Sequence, residues 1–230
     1  MKDFSLLERH VGCAFRNPKL LQQAFVHRSY LNEHPSCALG HNERLEFLGD
    51  AVIELAVTED LFTKYPDAPE GDMTNWRASL VNAIMLSSVA RDLGFEEYLY
   101  LSRGEASDRG KARQYILANV FEAFVGALYL DQGFAACQAF LEAKLLGHLK
   151  KILDEKLWMD PKSRFQEAAQ EYVGITPSYR VLNEEGPDHA RHFTVGVFLH
   201  EELVAEGTGL SKQEAQVAAA EHAIEKKGWT

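Results

Sequence analysis

Three carboxylates stand out in the stretch HNERLEFLGD: Glu43, Glu46 and Asp50, three and four residues apart. On a helix, at about 100° per residue, they fall within roughly 60° of one another, where like charges repel unless solvent or a cation relieves them. A fourth acid, Glu122, lies inside YILANVFEAFVGALYLD, a nearly continuous apolar stretch with Asn119 one turn earlier on the same face. An ionised carboxylate in such a helix is costly without a partner. If the two helices pack face to face, Glu46, Asp50, Asn119 and Glu122 offer only oxygen ligands, with Glu43 at the rim. Hard oxygen donors without His or Cys favour Mg²⁺ or Mn²⁺ over zinc, and such a site suits phosphodiester hydrolysis. Spacing alone leaves a second reading open, a solvated acidic face with Glu122 paired to an arginine such as Arg44 or Arg77.

The elements that must position these residues are helical up to about residue 153. Asn17 and Pro18 open one helix as cap and first-turn proline, and further helices are expected near 41–64, 74–92, 111–130 and 134–152. The Pro-, Gly- and charge-rich stretches YPDAPEGD and LSRGEASDRGKAR read as loops. After KILDEKLWMDPKSRF the pattern changes. Asp160 and Pro161 open a short helix, then SYRVL, HFTVGVFL and ELVAEGTG read as strands; Phe193, Val195, Val197 and Leu199 alternate onto one face. Ser211, with Glu214 three residues later, forms a capping box for a last helix. The expected architecture is an all-helical domain over 1–153, a linker over 154–160 and a small α+β domain, α-β-β-β-α, over 161–230.

Composition bounds the function. With 230 residues, 46% of them hydrophobic and 25% charged, the chain can bury a real core and is not a disordered one. Its net charge of −10 argues against a nucleic-acid binder in general, although a cation-collecting site must itself be acidic. Cys13, Cys37 and Cys137 lack disulfide or zinc spacing and point to a reducing compartment. The charged start MKDFSLLERHVG is no signal peptide and AFVGALYL is too short to span a bilayer, so the expected location is cytoplasmic, without membrane contact.

HNERLEFLGDAVI resembles the signature of bacterial ribonuclease III, and GDMTNWRASLVN and ILANVFEAFVGALYLD resemble later blocks of that family, in order. The tail resembles a double-stranded RNA-binding domain, so the similarity spans essentially the whole chain. The resemblance implies a homodimeric, Mg²⁺-dependent endonuclease that cuts double-stranded RNA to 5′-phosphate and 3′-hydroxyl ends with short 3′ overhangs, on ribosomal RNA precursors and structured messenger RNAs. By the same resemblance Glu46, Asp50 and Glu122 match metal-binding and catalytic positions, Asp50 and Glu122 most critically. Glu43 matches an accessory acid, and Phe47 a position packed across the dimer interface, against the plainer alternative of its own core. The family commonly has Asp where this chain has Asn119, which keeps a carbonyl oxygen but loses a charge. This departure recommends the competing reading, a catalytically weak or silent double-stranded RNA-binding regulator. A small-molecule phosphohydrolase leaves the tail without a purpose.

Duplex RNA is read largely by shape, through 2′-hydroxyls and phosphates. The positions that match RNA contacts are Gln166 and Glu167 on the first helix of the tail, His189 in GPDHA, and Lys212 with Gln213 at the start of the last helix, whose N-terminus itself attracts phosphate. Two adjacent lysines are common where Lys212 and Gln213 stand, and residues 161–230 hold seven Lys and Arg against eleven Asp and Glu, 7 − 11 = −4. Fewer phosphate contacts weaken binding and flatten its salt dependence. Arg103, Arg109, Lys111 and Arg113 are candidate RNA contacts in a solvated loop, as are Thr74, Asn75 and Arg77 beside a helix.

Overall fold

The computed structural model describes residues 2–107, 110–187 and 191–229. The chain divides into two compact units, one ending at Lys150 and the other beginning at Lys151. In the first, α1 (Phe4–Val11), α2 (Pro18–Ala24) and α3 (Arg28–Glu33) precede the long α4 (Glu43–Lys64). Then come α5 (Glu70–Val81), α6 (Ala83–Asp92), the short α7 (Arg103–Ser107), the long α8 (Lys111–Gln132) and α9 (Phe134–Lys144), while α10 (Leu149–Asp154) runs across the division. As the sequence indicates, Asn17 caps α2 by accepting from the Lys19 N–H, with Pro18 in the first turn.

Three local expectations are corrected. The single helix expected over 74–92 is broken at Asn82, which is extended; its side chain accepts from Met85 N–H at 3.0 Å to start α6 and donates to the Ala78 and Ser79 carbonyls to close α5. A short amide that can bond to nearby backbone competes with the helix ladder. The helix expected over 134–152 is interrupted by a 3₁₀ turn, Leu146–His148, around Gly147. The stretch 101–113, read as a loop, carries α7 and the first turn of α8, and Arg113 is no surface cation. It is 4% exposed, donates to the Glu105 and Ala106 carbonyls and faces Glu96 at 3.6 Å. Arg109 lies outside the described residues.

The first unit is organised around α8, against which α2, α4, α6 and α9 pack. Phe95, Phe121, Phe124 and Phe140 form an aromatic cluster there, with Phe124 5.1 Å from Phe95 and 5.0 Å from Phe140 between ring centres. On the α4 side two glycines meet. A Cβ at Gly49 would lie 1.8 Å from the Glu122 carbonyl oxygen, and one at Gly126 would lie 2.1 Å from that of Leu45. The two backbones touch because neither helix has a side chain at the crossing. The start of α4 is fixed by Asn42, 2% exposed, whose backbone N–H donates to the Val26 carbonyl at 2.9 Å and whose amide donates to that of Ala24 at 3.1 Å.

The second unit runs α11 (Pro161–Val173), β1 (Ser178–Glu185), β2 (His192–Leu199), β3 (Glu202–Gly209) and α12 (Lys212–Lys227), the strands forming an antiparallel sheet in the order β1-β2-β3. Phe165, Ala169, Val197, Leu199, Val204, Ala219 and Ile224 make its core. The alternation in β2 is partial: Phe193 is only half-buried, while Phe198 is covered by the Arg180 guanidinium 4.7 Å above its ring. Ser211 caps α12 by accepting from the Glu214 N–H, but Glu214 reaches one residue beyond a capping box, to the Leu210 N–H at 2.9 Å.

Replacing Gly49 by Ala forces two backbones apart, and overpacking of this kind costs about 3 kcal/mol, roughly 6–12 °C in melting temperature for a unit of this size. Gly71→Ala in α5, where a Cβ meets nothing within 4 Å, is expected to leave the melting temperature unchanged or slightly higher. Thermal denaturation of the two variants checks the contrast.

Candidate active site

At the α4–α8 crossing, Glu46 and Asp50 from α4 face Asn119 and Glu122 from α8. Glu46, Asn119 and Glu122 are half-buried and Asp50 is exposed. Burial, then repulsion from Asp50 and Glu46, pushes the Glu122 carboxyl from its ordinary 4.5 up to about 8. Glu46 is also raised, first by burial and then by Glu43 and Asp50, while a hydrogen bond from the Asn119 side chain pulls it back. Asn119 therefore stabilises the ionised Glu46, which an aspartate at that position could not do without a proton.

The arginine reading of Glu122 fails: among the described residues it forms no ion pair, and Arg77 is engaged with Glu54 at 2.9 Å and with the Thr58 hydroxyl. Glu43 acts on Glu46 from the edge of the cluster. Its oxygens lie 3.4 Å from Arg28 and 3.6 Å from His41 Nδ1, which orient it at the edge of the cluster. Phe47 does not belong to its own core, being 82% exposed.

Among the described residues no group of three or more His, Cys, Asp or Glu side chains lies in metal-holding geometry. The carboxylates couple electrically without converging. Their chemistry nevertheless fits a hard divalent cation: the donors are all oxygen, and the repulsion from Asp50 and Glu46 that adds to burial in raising Glu122 is a field such a cation neutralises.

In the second unit Gln166, Glu167 and Gln213 are exposed, and Gln166 and Gln213 line one cleft. Lys212 is already committed, 2.9 Å from Glu184 and 5.5 Å above the centre of the Phe193 ring. His189 lies outside the described residues. Sequence reasoning missed Asn42, Gly49 and Gly126 as positioning residues; glycine inside a helical pattern was the available signal for two of them.

The profile of the ribonuclease-III-like family matches residues 17–149, and that of the double-stranded RNA binding motif matches 161–227. This chain belongs to the ribonuclease III family. Ribonuclease 3 of Streptococcus agalactiae is 42% identical over 220 residues, 96% of each chain. That of Oceanobacillus iheyensis is 43% identical over 223 residues, 97% of each. The nuclease domain of ribonuclease III from Campylobacter jejuni, described for structural flexibility in a region involved in its dimer formation, is 33% identical with a TM-score of 0.57, covering 63% of this chain and 97% of that one. Family membership accounts for both units. Among the described residues, no helix is long and apolar enough to cross a membrane.

A pKa raised by the fold means that the protonated form of Glu122 is the one the fold favours. In chelator, this contribution is complete below about 4.5 and is lost as pH rises through about 8. Glu122→Gln, which cannot ionise, is therefore expected to melt several degrees above the wild type at alkaline pH, the gap narrowing as pH falls below about 8 and closing near 4.5. Thermal melts across pH in EDTA test this.

Proposed function

We propose that this chain is a Mg²⁺-dependent endoribonuclease that cuts double-stranded RNA, leaving 5′-phosphate and 3′-hydroxyl ends with short 3′ overhangs. Residues 1–153 form its catalytic domain, 154–160 a linker and 161–230 its RNA-binding domain. The observation that carries the reading is the half-buried Glu122 facing Asp50 and Glu46, in a chain whose second unit matches the double-stranded RNA binding motif.

Asp50 and Glu122 would hold the metal, joined by Glu46 and by the Asn119 carbonyl oxygen. Bound Mg²⁺, with Mn²⁺ as a substitute, supplies Lewis-acid charge and a water of lowered pKa at the phosphodiester. The protein's own part is to present these oxygens on two helices that cannot slide apart. Glu122 keeps its proton near neutrality until cationic charge approaches, and the Asn119 amide favours the ionised form of Glu46 against burial and its acidic neighbours. Glu43, oriented by Arg28 and His41, is the accessory acid.

The enzyme works as a homodimer through α4. Phe47, Leu55 and Phe62, at 82%, 57% and 73% exposure, are eight and seven residues apart and so share one face of that helix. A cleft of about 650 Å³ lined by Leu20, Leu45, Leu48 and Leu130 lies beside Phe47. Gln166, Glu167, His189, Lys212 and Gln213 contact the duplex. The setting is the cytoplasm, and the substrates are precursors of ribosomal RNA and structured messenger RNAs.

The test is cleavage of an end-labelled RNA hairpin over a Mg²⁺ titration. Discrete cuts confined to the duplex are expected. Glu122→Gln and Asp50→Asn should each reduce the rate by roughly a hundredfold or more, about 3 kcal/mol of lost charge stabilisation, with RNA binding intact. Asn119→Asp is expected to lower the Mg²⁺ midpoint and, in chelator, the melting temperature, because it exchanges a donor to Glu46 for a further repelling charge. Duplex binding by the wild type without cuts in either Mg²⁺ or Mn²⁺ would make this protein the regulator that Asn119 otherwise recommends.

A further inference from the structure

A cleft of about 680 Å³ in the second unit is lined by Lys162 and Gln166 of α11, Tyr179 of β1, and Gln213 and Gln216 of α12. Lys162 Nζ donates to Gln216 Oε1 at 2.7 Å and lies 5.2 Å from the centre of the Tyr179 ring. The Tyr179 hydroxyl is buried and has no hydrogen-bond partner among the described residues. The nearest acid on this cleft, Asp160, is occupied in capping α11: it accepts from the backbone N–H groups of Lys162 and Ser163 at 3.1 Å each, and from the Ser163 hydroxyl.

The unit's other cations are largely spoken for. Arg180 pairs with Glu201 at 2.9 Å, Arg191 with Glu184 at 3.5 Å, Lys212 with the same Glu184 at 2.9 Å, and Lys227 with Glu202 at 3.3 Å. Lys226 Nζ donates to the Val204 carbonyl at 2.8 Å, and the Nε of Arg164 is buried. Lys162, like Lys226, has a neutral hydrogen-bond partner and no ion pair among the described residues, but unlike Lys226 it lines the cleft. Gln216 takes one of the three N–H donors an ammonium carries and is itself neutral, while Asp160 acts on the ammonium through space without forming an ion pair.

We infer that Lys162 is a phosphate-binding residue for duplex RNA, held in the α11–α12 cleft by Gln216 and Tyr179. The exposed Gln166 and Gln213 amides, which both donate and accept, take the adjoining ribose and phosphate oxygens. The inference rests on the reading of this unit as a double-stranded RNA-binding module. In a unit of net negative charge, this makes a lysine in the first turn of α11, rather than the start of α12 alone, a principal electrostatic contact.

The test uses the full chain in EDTA, a fluorescent RNA duplex longer than the roughly 16 base pairs such a domain spans, and titrations at several salt concentrations. Removing one phosphate contact lowers the slope of log K against log salt by about 0.9, which corresponds to about fivefold weaker binding near 0.15 M salt. Lys162→Gln should show both effects and Lys162→Arg neither. Wild-type slope and affinity in a folded Lys162→Gln protein would overturn the inference. So would a lowered melting temperature with an unchanged slope, which marks a purely structural anchor. A wild type that does not bind the duplex at all would instead overturn the RNA-binding reading beneath it.

Discussion

The first unit depends on one close approach, the contact of α4 and α8 at Gly49 and Gly126. With a Cβ of either residue placed within about 2 Å of the opposite carbonyl oxygen, no other amino acid fits without separating the helices. Only at that separation do acids carried on two different helices share one field. The contact is held from behind by the phenylalanines packed around α8 and from one end by Asn42, which fixes where α4 begins. Rigid elements, rather than loops, thus carry the acids, and the geometry they impose resists the repulsion among them.

That repulsion is the opposite of what stability alone would select. Glu122, raised to about 8, is a group the fold would prefer uncharged, and Glu46 is raised beside it. Perturbed carboxylates cluster where chemistry needs them, and the cost falls on the surrounding core. Asn119 moderates the conflict by donating to Glu46 in place of adding a further negative charge. The substitution thus has a physical effect in the free protein as well as in a metal-loaded one.

The same accounting of charge explains how an acidic chain of net −10 can bear an RNA-binding module. Exposed ion pairs add little stability, but they decide which cations a ligand can use. Glu184 alone engages both Arg191 and Lys212, whereas the amide-held Lys162 keeps its charge available. Net charge describes the sum; recognition depends on which charges are already matched.

Local patterns in the sequence were enough for the caps at Asn17, Asp160 and Ser211, the three strands of the tail, the change of architecture between the units, and the chemical type of the acids, because each depends on residues within a turn of one another. The helix break at Asn82 is also local, but an amide that can either cap or continue a helix looks the same in both roles. Other features lay beyond any such pattern. Burial of Arg113 against Glu96, exposure of Phe47, the pairing of Lys212 with Glu184 and the holding of Lys162 by Gln216 all depend on partners distant in the chain. The meeting of Gly49 with Gly126 is of the same kind. Residue type fixes what a side chain can do; which neighbour it meets, and so whether its charge is matched, buried or left for a ligand, is decided only when the helices and sheet pack.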